Sequence, residues 1–343
     1  MTADLKLGLQ LGYWASKPPE HDWVALAQEA ERLGFDSAWT AESWGSDVFT
    51  PLAYLAASTS RIRLGTAVAQ MAARTPTATA MQAMTLDHLS GGRAILGLGL
   101  SGPQVVEGWY GRPYPKPLAR TREYVEIIRK VLRRETVTND GQYYPLPYVG
   151  DDAAGLGKPL RTNLRPLRKD LPIFLGAEGP KNVALTAEIA DGWLPLYYVP
   201  ERPEVYAEQI AGAKDGFEIT AMVPVTITGT KQEEIDAALW PIKGMLGFYV
   251  GGMGAKGANF HMNLMARMGY EAEAHRIQEL FLEGKRDEAI MAVPSSFADE
   301  ISLVGPPERI KERLAAWRGS PVTTLLVTAK EAGTLRTLAE LVG

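Results

Sequence analysis

Short apolar or β-branched runs recur along the chain, each followed by a stretch in which apolar residues return every three or four positions. That alternation marks parallel βα units, because a strand covered by helices reads as apolar on both faces. Eight runs predict strands, at residues 5–11, 35–40, 62–68, 94–100, 172–177, 192–197, 219–227 and 322–328. Between them, Trp23, Leu26, Ala27, Ala30 and Leu33 form one apolar stripe, and Leu118, Thr121, Val125, Ile128 and Leu132 form another. Such stripes belong to helices that pack on a sheet. Pro117, Pro180 and the pair Pro306 and Pro307 stand where helices begin, positions at which a missing N–H costs nothing. Eight strands alternating with helices predict an α/β protein, a closed (β/α)8 TIM barrel in preference to a doubly wound open sheet.

Two intervals are too long for one βα unit, and they predict insertions after the fourth and seventh strands, at about 101–170 and 244–300, within a single domain over 1–343. The first holds the helix from Pro117, a hairpin around Asn139, Asp140 and Gly141, and a basic loop over 155–170. The second opens on a glycine-rich stretch over 244–257 and continues as helix. Both come after strands, so both are expected at the C-terminal face, where barrel active sites sit.

Composition narrows the function. Hydrophobic residues make up 46% and charged residues 22% of the 343, ordinary globular proportions that exclude disorder and coiled coil. Lys and Arg number 36 against 40 Asp and Glu, a net charge of −4, which gives no electrostatic case for nucleic acid or an anionic membrane surface. Cysteine is absent, which removes disulfides, thiolate metal sites and cysteine nucleophiles together. The four histidines, His21, His88, His261 and His275, lack the spacing of a metal pair, so no metal is expected. The chain from Met1 to Lys6 enters strand-like sequence without an apolar leader, and a cytoplasmic protein is expected.

The sharpest local signal is Leu175-Gly176-Ala177-Glu178-Gly179-Pro180-Lys181-Asn182, a strand ending in small residues before a helix. Free N–H groups there would receive a phosphate, and an ordinary tight turn reads equally well. Gly97-Leu98-Gly99-Leu100-Ser101 closes the fourth strand and reads more readily as a strand end narrowed for packing. Glu42 lies between Trp39 and Trp44 after the second strand, a setting that could fix a polar ligand edge. His88 falls at the opposite end of the barrel and reads as structural. Lys158, Arg161, Arg165, Arg168 and Lys169 form a local basic run, either a solvated loop or a grip for a polyanionic tail. Met245, Met253, Met262, Met265 and Met268 crowd the second insertion, as lid or as core filler.

Phe35-Asp36-Ser37-Ala38-Trp39, Arg61-Ile62-Arg63-Leu64-Gly65-Thr66-Ala67-Val68, Leu89-Ser90-Gly91-Gly92-Arg93 with Leu96-Gly97-Leu98-Gly99, and Gly176 to Lys181 with Ala190-Asp191-Gly192-Trp193 together resemble the luciferase-like (β/α)8 oxidoreductases of the bacterial luciferase superfamily. More narrowly, they resemble the branch using the deazaflavin coenzyme F420. The resemblance implies that the deazaflavin lies in the barrel mouth against a bulge in the third strand, often containing a non-prolyl cis peptide, at Ala67 and Val68. It implies Glu42 near the pyrimidine edge, Leu100 and Ser101 beside the ring or ribityl chain, and Ala177, Glu178, Gly179, Pro180, Lys181 and Asn182 at the phosphate. Glu178 must then turn its carboxylate away. Glu42 and Gln10 are the candidates for proton handling, with Tyr13 and Trp44 as substrate walls. Ser43 stands where sugar-phosphate-oxidising relatives carry His, and Gln10 where pterin-reducing relatives carry a catalytic Glu. The implied activity is hydride transfer between deazaflavin C5 and a small organic substrate by a homodimer. An FMN-dependent monooxygenase, or a barrel that binds cofactor without turnover, are the alternatives.

Overall fold

The computed structural model describes residues 4–13, 22–254 and 259–343. His21 and the end of the glycine-rich stretch 244–257 lie outside the described residues. Eight parallel strands carry the fold: β1 (Lys6–Gly12), β2 (Ser37–Thr40), β3 (Arg63–Thr66), β4 (Ala94–Gly99), β5 (Ile173–Gly176), β6 (Gly192–Leu194), β7 (Glu218–Ile227) and β8 (Thr324–Thr328). Each pairs in parallel with the next, and β8 pairs with both β7 and β1, so the sheet closes. All eight lie where the runs of apolar residues put them. The barrel, not the open sheet, is the outcome.

The lumen is filled by side chains from five of the strands. The Trp39 indole reaches in from β2 and packs with Ile95, Phe174, Leu194 and Leu326, beneath the partly buried Ala67 and Val68. Glycine makes this possible: a Cβ at Gly65 would stand 2.2 Å from the Trp39 ring. A second, larger layer of apolar side chains lies between the strands and the helices that surround them. Helices Pro117–Leu132, Pro180–Ile189 and Pro307–Gly319 begin at the expected prolines, and the two expected stripes bury Leu26, Ala27 and Ala30 in helix Trp23–Arg32 and Thr121, Val125, Ile128 and Leu132 in helix Pro117–Leu132.

Three features depart from the expected pattern. The run 62–68 is not one strand: β3 stops at Thr66, the Ala67–Val68 peptide is cis, and the chain resumes pairing at Ala69–Gln70 against the end of β4. A short strand, Leu303–Gly305, extends the outer half of β7. The basic run lies away from the mouth: Arg168 bonds the Asp87 carboxylate and the Ala94 carbonyl at the start of β4, and His88 Nε2 lies 2.8 Å from the Arg165 carbonyl. Its anchored half therefore braces the N-terminal end of the barrel, and the tail-grip reading fails for that half on position alone.

The second insertion is a packed helical cap. Helix Gln232–Gly252 lies against Glu271–Leu282 and Arg286–Met291, with Gly251 and Gly252 admitting the Phe281 ring and Gly247 admitting Ile290. Met262, Met265 and Met268 are buried, so these methionines are core. Among the described residues no helix is long and apolar enough to cross a membrane.

Candidate active site

Segments leaving the C-terminal ends of the strands build the mouth of the barrel. After β3, the turn carrying Ala67 and Val68 lies over the strand ends, and glycines make room for it. A Cβ at Gly99 would meet Val68 Cγ2 at 2.3 Å, and one at Gly176 would meet Val68 Cγ1 at 3.2 Å. The Gly97-x-Gly99 pattern is thus a packing device that seats the turn. Ser101, next after Leu100, takes a left-handed φ of 60° and leads into helix Pro103–Gly108.

Glu42 is buried beside this turn and both its carboxylate oxygens are taken. Arg74 Nη1 donates to Oε2 at 2.7 Å and Nη2 to Oε1 at 2.5 Å, while the Gln70 N–H donates to Oε2 at 2.7 Å. Burial works against the Arg74 charge, but the pairing with Glu42 outweighs it and raises the guanidinium above its ordinary value. Both oxygens of Glu42 thereby hold Arg74 and the strand 69–70. Trp39 belongs to the lumen and Trp44 is exposed, so the two indoles do not enclose the carboxylate. Because Arg74 also reaches Asp47 at 3.2 Å, Glu42→Gln is expected to cost only about 1–2 kcal/mol. A thermal midpoint left unchanged would reject the anchoring role.

Gln10 is buried at the end of β1, where the pairing with β2 shifts register, and its Oε1 accepts weakly from the Gly12 N–H at 3.4 Å. Its amide nitrogen has no hydrogen-bond partner among the described residues. Tyr13 is half exposed, with its hydroxyl 3.4 Å from that of Tyr249.

The turn after β5 opens helix Pro180–Ile189 with no side-chain cap. The Gly179 carbonyl accepts from the Asn182 and Val183 N–H groups, and Lys181 is exposed at the helix start. The Gly179 and Lys181 N–H groups have no partner among the described residues, the condition an anion at a helix N-terminus requires. The Ala177 carbonyl accepts from the Trp193 indole at 2.8 Å, and the Glu178 carbonyl from Arg267 at 2.7 Å. The Glu178 carboxylate faces His261, Oε2 lying 2.9 Å from Nδ1, but out of line for a hydrogen bond.

Sequence reasoning missed Arg74, Arg267, Tyr197 and the pairing of His261 with Glu178. No local signal marks them, since each acts on a partner far away in the chain. Asn259 is the one nearby cue: it caps helix Phe260–Met265 through the Met262 N–H and grips the Val250 carbonyl, which fixes His261 at the helix start.

The luciferase-like monooxygenase family matches residues 9–324. A Mycobacterium tuberculosis protein named as a candidate coenzyme F420-dependent oxidoreductase is 51% identical over 352 aligned positions, covering 100% of both chains. A coenzyme F420 dependent tetrahydromethanopterin reductase from Methanopyrus kandleri has a structure similar at TM-score 0.76 and 24% identity, covering 98% of each chain. A monooxygenase from Streptomyces bottropensis is similar at TM-score 0.67 and 21% identity, again over 98% of each. At these two lower identities the likeness concerns the fold, which a reductase and a monooxygenase share.

Proposed function

The chain belongs to the luciferase-like monooxygenase family, and on that footing we propose that it is a coenzyme F420-dependent oxidoreductase that moves a hydride between the deazaflavin and a small organic substrate. The observation that carries this reading is the 51% identity, end to end, with the mycobacterial protein named for that cofactor. When bound, the deazaflavin supplies the hydride chemistry, and the protein supplies position and electrostatics.

The residues present suit such a group. Ala67 and Val68 would form the seat of the ring, with Leu100 and Ser101 beside it and the Glu42–Arg74 pair at its edge. Ala177, Glu178, Gly179, Pro180, Lys181 and Asn182 would form the turn that holds the phosphate, with the Gly179 and Lys181 N–H groups as its free donors. The uncapped helix start and the Glu178 carboxylate turned toward His261 support this. Tyr13 and Trp44 would wall the substrate. Glu42 is left out of proton handling because its oxygens are already bonded. The same reading takes 1–343 as one domain acting in the cytoplasm as a homodimer. Tyr54 and Met81, exposed on the packed helices Phe49–Ser58 and Pro76–Ser90, offer the apolar face a second copy would cover.

Parallel calorimetric titrations with oxidised F420 and with FMN, at one salt concentration, test the reading. At least about tenfold tighter binding of F420 is expected, about 1.4 kcal/mol. Preference for FMN would favour the monooxygenase chemistry that the fold equally supports, and binding of neither would leave a barrel without redox turnover.

A further inference from the structure

Among the described residues, the β1–β3 side of the mouth shows no obvious free acid or base. Glu42 is doubly bonded, and neither Gln10 nor Ser43 carries a group that titrates near neutrality. The other side holds a cluster the sequence does not announce: Glu178 after β5, Tyr197 after β6, and Tyr249 and His261 from the second insertion. The His261 ring lies 4.9 Å from that of Tyr249 and 6.0 Å from that of Tyr197.

Three polar atoms of this cluster are buried without a hydrogen-bond partner: Glu178 Oε2, His261 Nδ1 and the hydroxyl of Tyr197, a residue 0% exposed. Buried polar atoms are almost always paired, and a group of exceptions at one place calls for a functional cause. Nδ1 is turned inward toward Glu178. Nε2 is not among the buried unpartnered atoms and bonds to no described residue, which leaves it the accessible nitrogen of the ring. A carboxylate behind one imidazole nitrogen and a free position at the other is how a ring is held ready to exchange a proton. Burial first, then the Glu178 charge, holds the Tyr197 phenol well above its ordinary value, so it stands in the cluster as a neutral donor.

We propose that His261 exchanges the proton of a small alcohol or carbonyl substrate at Nε2, with Glu178 and Tyr197 as the positioning residues behind it. The proposal rests on the hydride-transfer reading above. In the oxidative direction the substrate O–H proton passes to Nε2, the carbon–hydrogen pair leaves as hydride to the oxidised deazaflavin, and the C=O bond forms. The reductive direction reverses each transfer. The Glu178 carboxylate, 2.9 Å from Nδ1, stabilises by its charge the imidazolium that results.

The test uses the F420-loaded protein with 2-propanol, cyclohexanol and geraniol, and with the corresponding carbonyl compounds and reduced F420. Wild type is expected to turn over at least one pair. His261→Asn should lower kcat about 100-fold or more, with KM and the calorimetric F420 affinity kept within about threefold. Added imidazole should restore at least about tenfold in His261→Ala, and Glu178→Gln should lose about tenfold in kcat with KM kept. The chain has only four histidines, so 15N-histidine spectra of the protein without cofactor provide an independent readout. Glu178→Gln should move the one signal that His261→Asn removes. Failure to bind F420 overturns the hydride-transfer reading. F420 binding without turnover of any pair, kcat of His261→Asn within threefold of wild type, or no imidazole rescue each overturns this proposal and leaves that reading standing. Should His261→Asn not fold, His261→Gln carries the same comparison.

Discussion

Gly97→Ala is expected to destabilise the protein by about 3–5 kcal/mol and to abolish cofactor binding, the largest effect of any single methyl group in the mouth. A Cβ at this position would lie 1.9 Å from the Thr66 carbonyl oxygen, a backbone atom that cannot swing aside. Thr66 is held in turn, because its Oγ1 donates to the Gly97 carbonyl at 2.6 Å and accepts from the Gly97 N–H at 2.8 Å. Relief therefore requires β3 and β4 to separate at the point where the chain turns into Ala67 and Val68. The loss should appear as a lowered thermal midpoint together with absent calorimetric heat for F420. Gly108→Ala is the control: nothing lies within 4 Å of its Cβ position, at the end of helix Pro103–Gly108. There the substitution should be neutral or stabilise by about 0.4–1 kcal/mol. Equal effects at the two glycines would refute the account of Gly97 as a required close approach.

The contrast between these glycines shows how much the sequence makes legible. The strands and the proline-opened helices are readable because a period of apolar residues is a local property, written within ten residues of itself. The turn after β5 is readable for the same reason, as small residues succeeded by proline. The Gly97-x-Gly99 pattern is visible too, but its partner is not, since it accommodates Val68 and Thr66 on the neighbouring strand. Glu42 shows the limit most clearly. Its neighbours in sequence are indoles, yet its partners in space are Arg74 and the Gln70 N–H, contacts that no local pattern announces. The basic run, read as a solvated loop or a tail grip, is exposed at Lys158, Arg161, Arg165 and Lys169, and the choice between the two is not legible for a related reason. Charge density says nothing of which end of the barrel a loop lies on, and Arg168 is committed to Asp87 there. Leu303–Gly305 is too short to show a period of its own and pairs only because the end of β7 offers an open edge.

Arg63→Met is expected to cost about 2–4 kcal/mol at pH 7 and progressively less in acid. Arg63 begins β3 at the N-terminal end of the barrel. Its Nη2 donates to Asp36 Oδ2 at 2.5 Å and to Glu218 Oε2 at 2.8 Å, while Nη1 donates to Glu218 Oε1 at 2.9 Å. One guanidinium thereby ties the starts of the successive strands β2 and β3 to that of β7, far away in sequence. Burial alone would raise the Glu218 carboxyl, but the hydrogen bonds and charge of Arg63, aided by Lys6, hold it below its ordinary value of 4.5. A depressed carboxylate adds stability that is present above the unfolded value and is lost as pH falls through the folded one. In Arg63→Met that contribution disappears, and the half-buried Asp36 and Glu218 are left with Lys6 at 3.8 and 3.5 Å. As pH falls through the carboxylate range, protonation of Glu218 relieves its repulsion of Asp36. The gap in thermal midpoint between wild type and variant should therefore be widest near neutrality and at least halve by pH 4. A gap of the same size at both pH values would mean that the guanidinium acts by filling space and not by charge. The barrel floor would then owe its closure to packing alone.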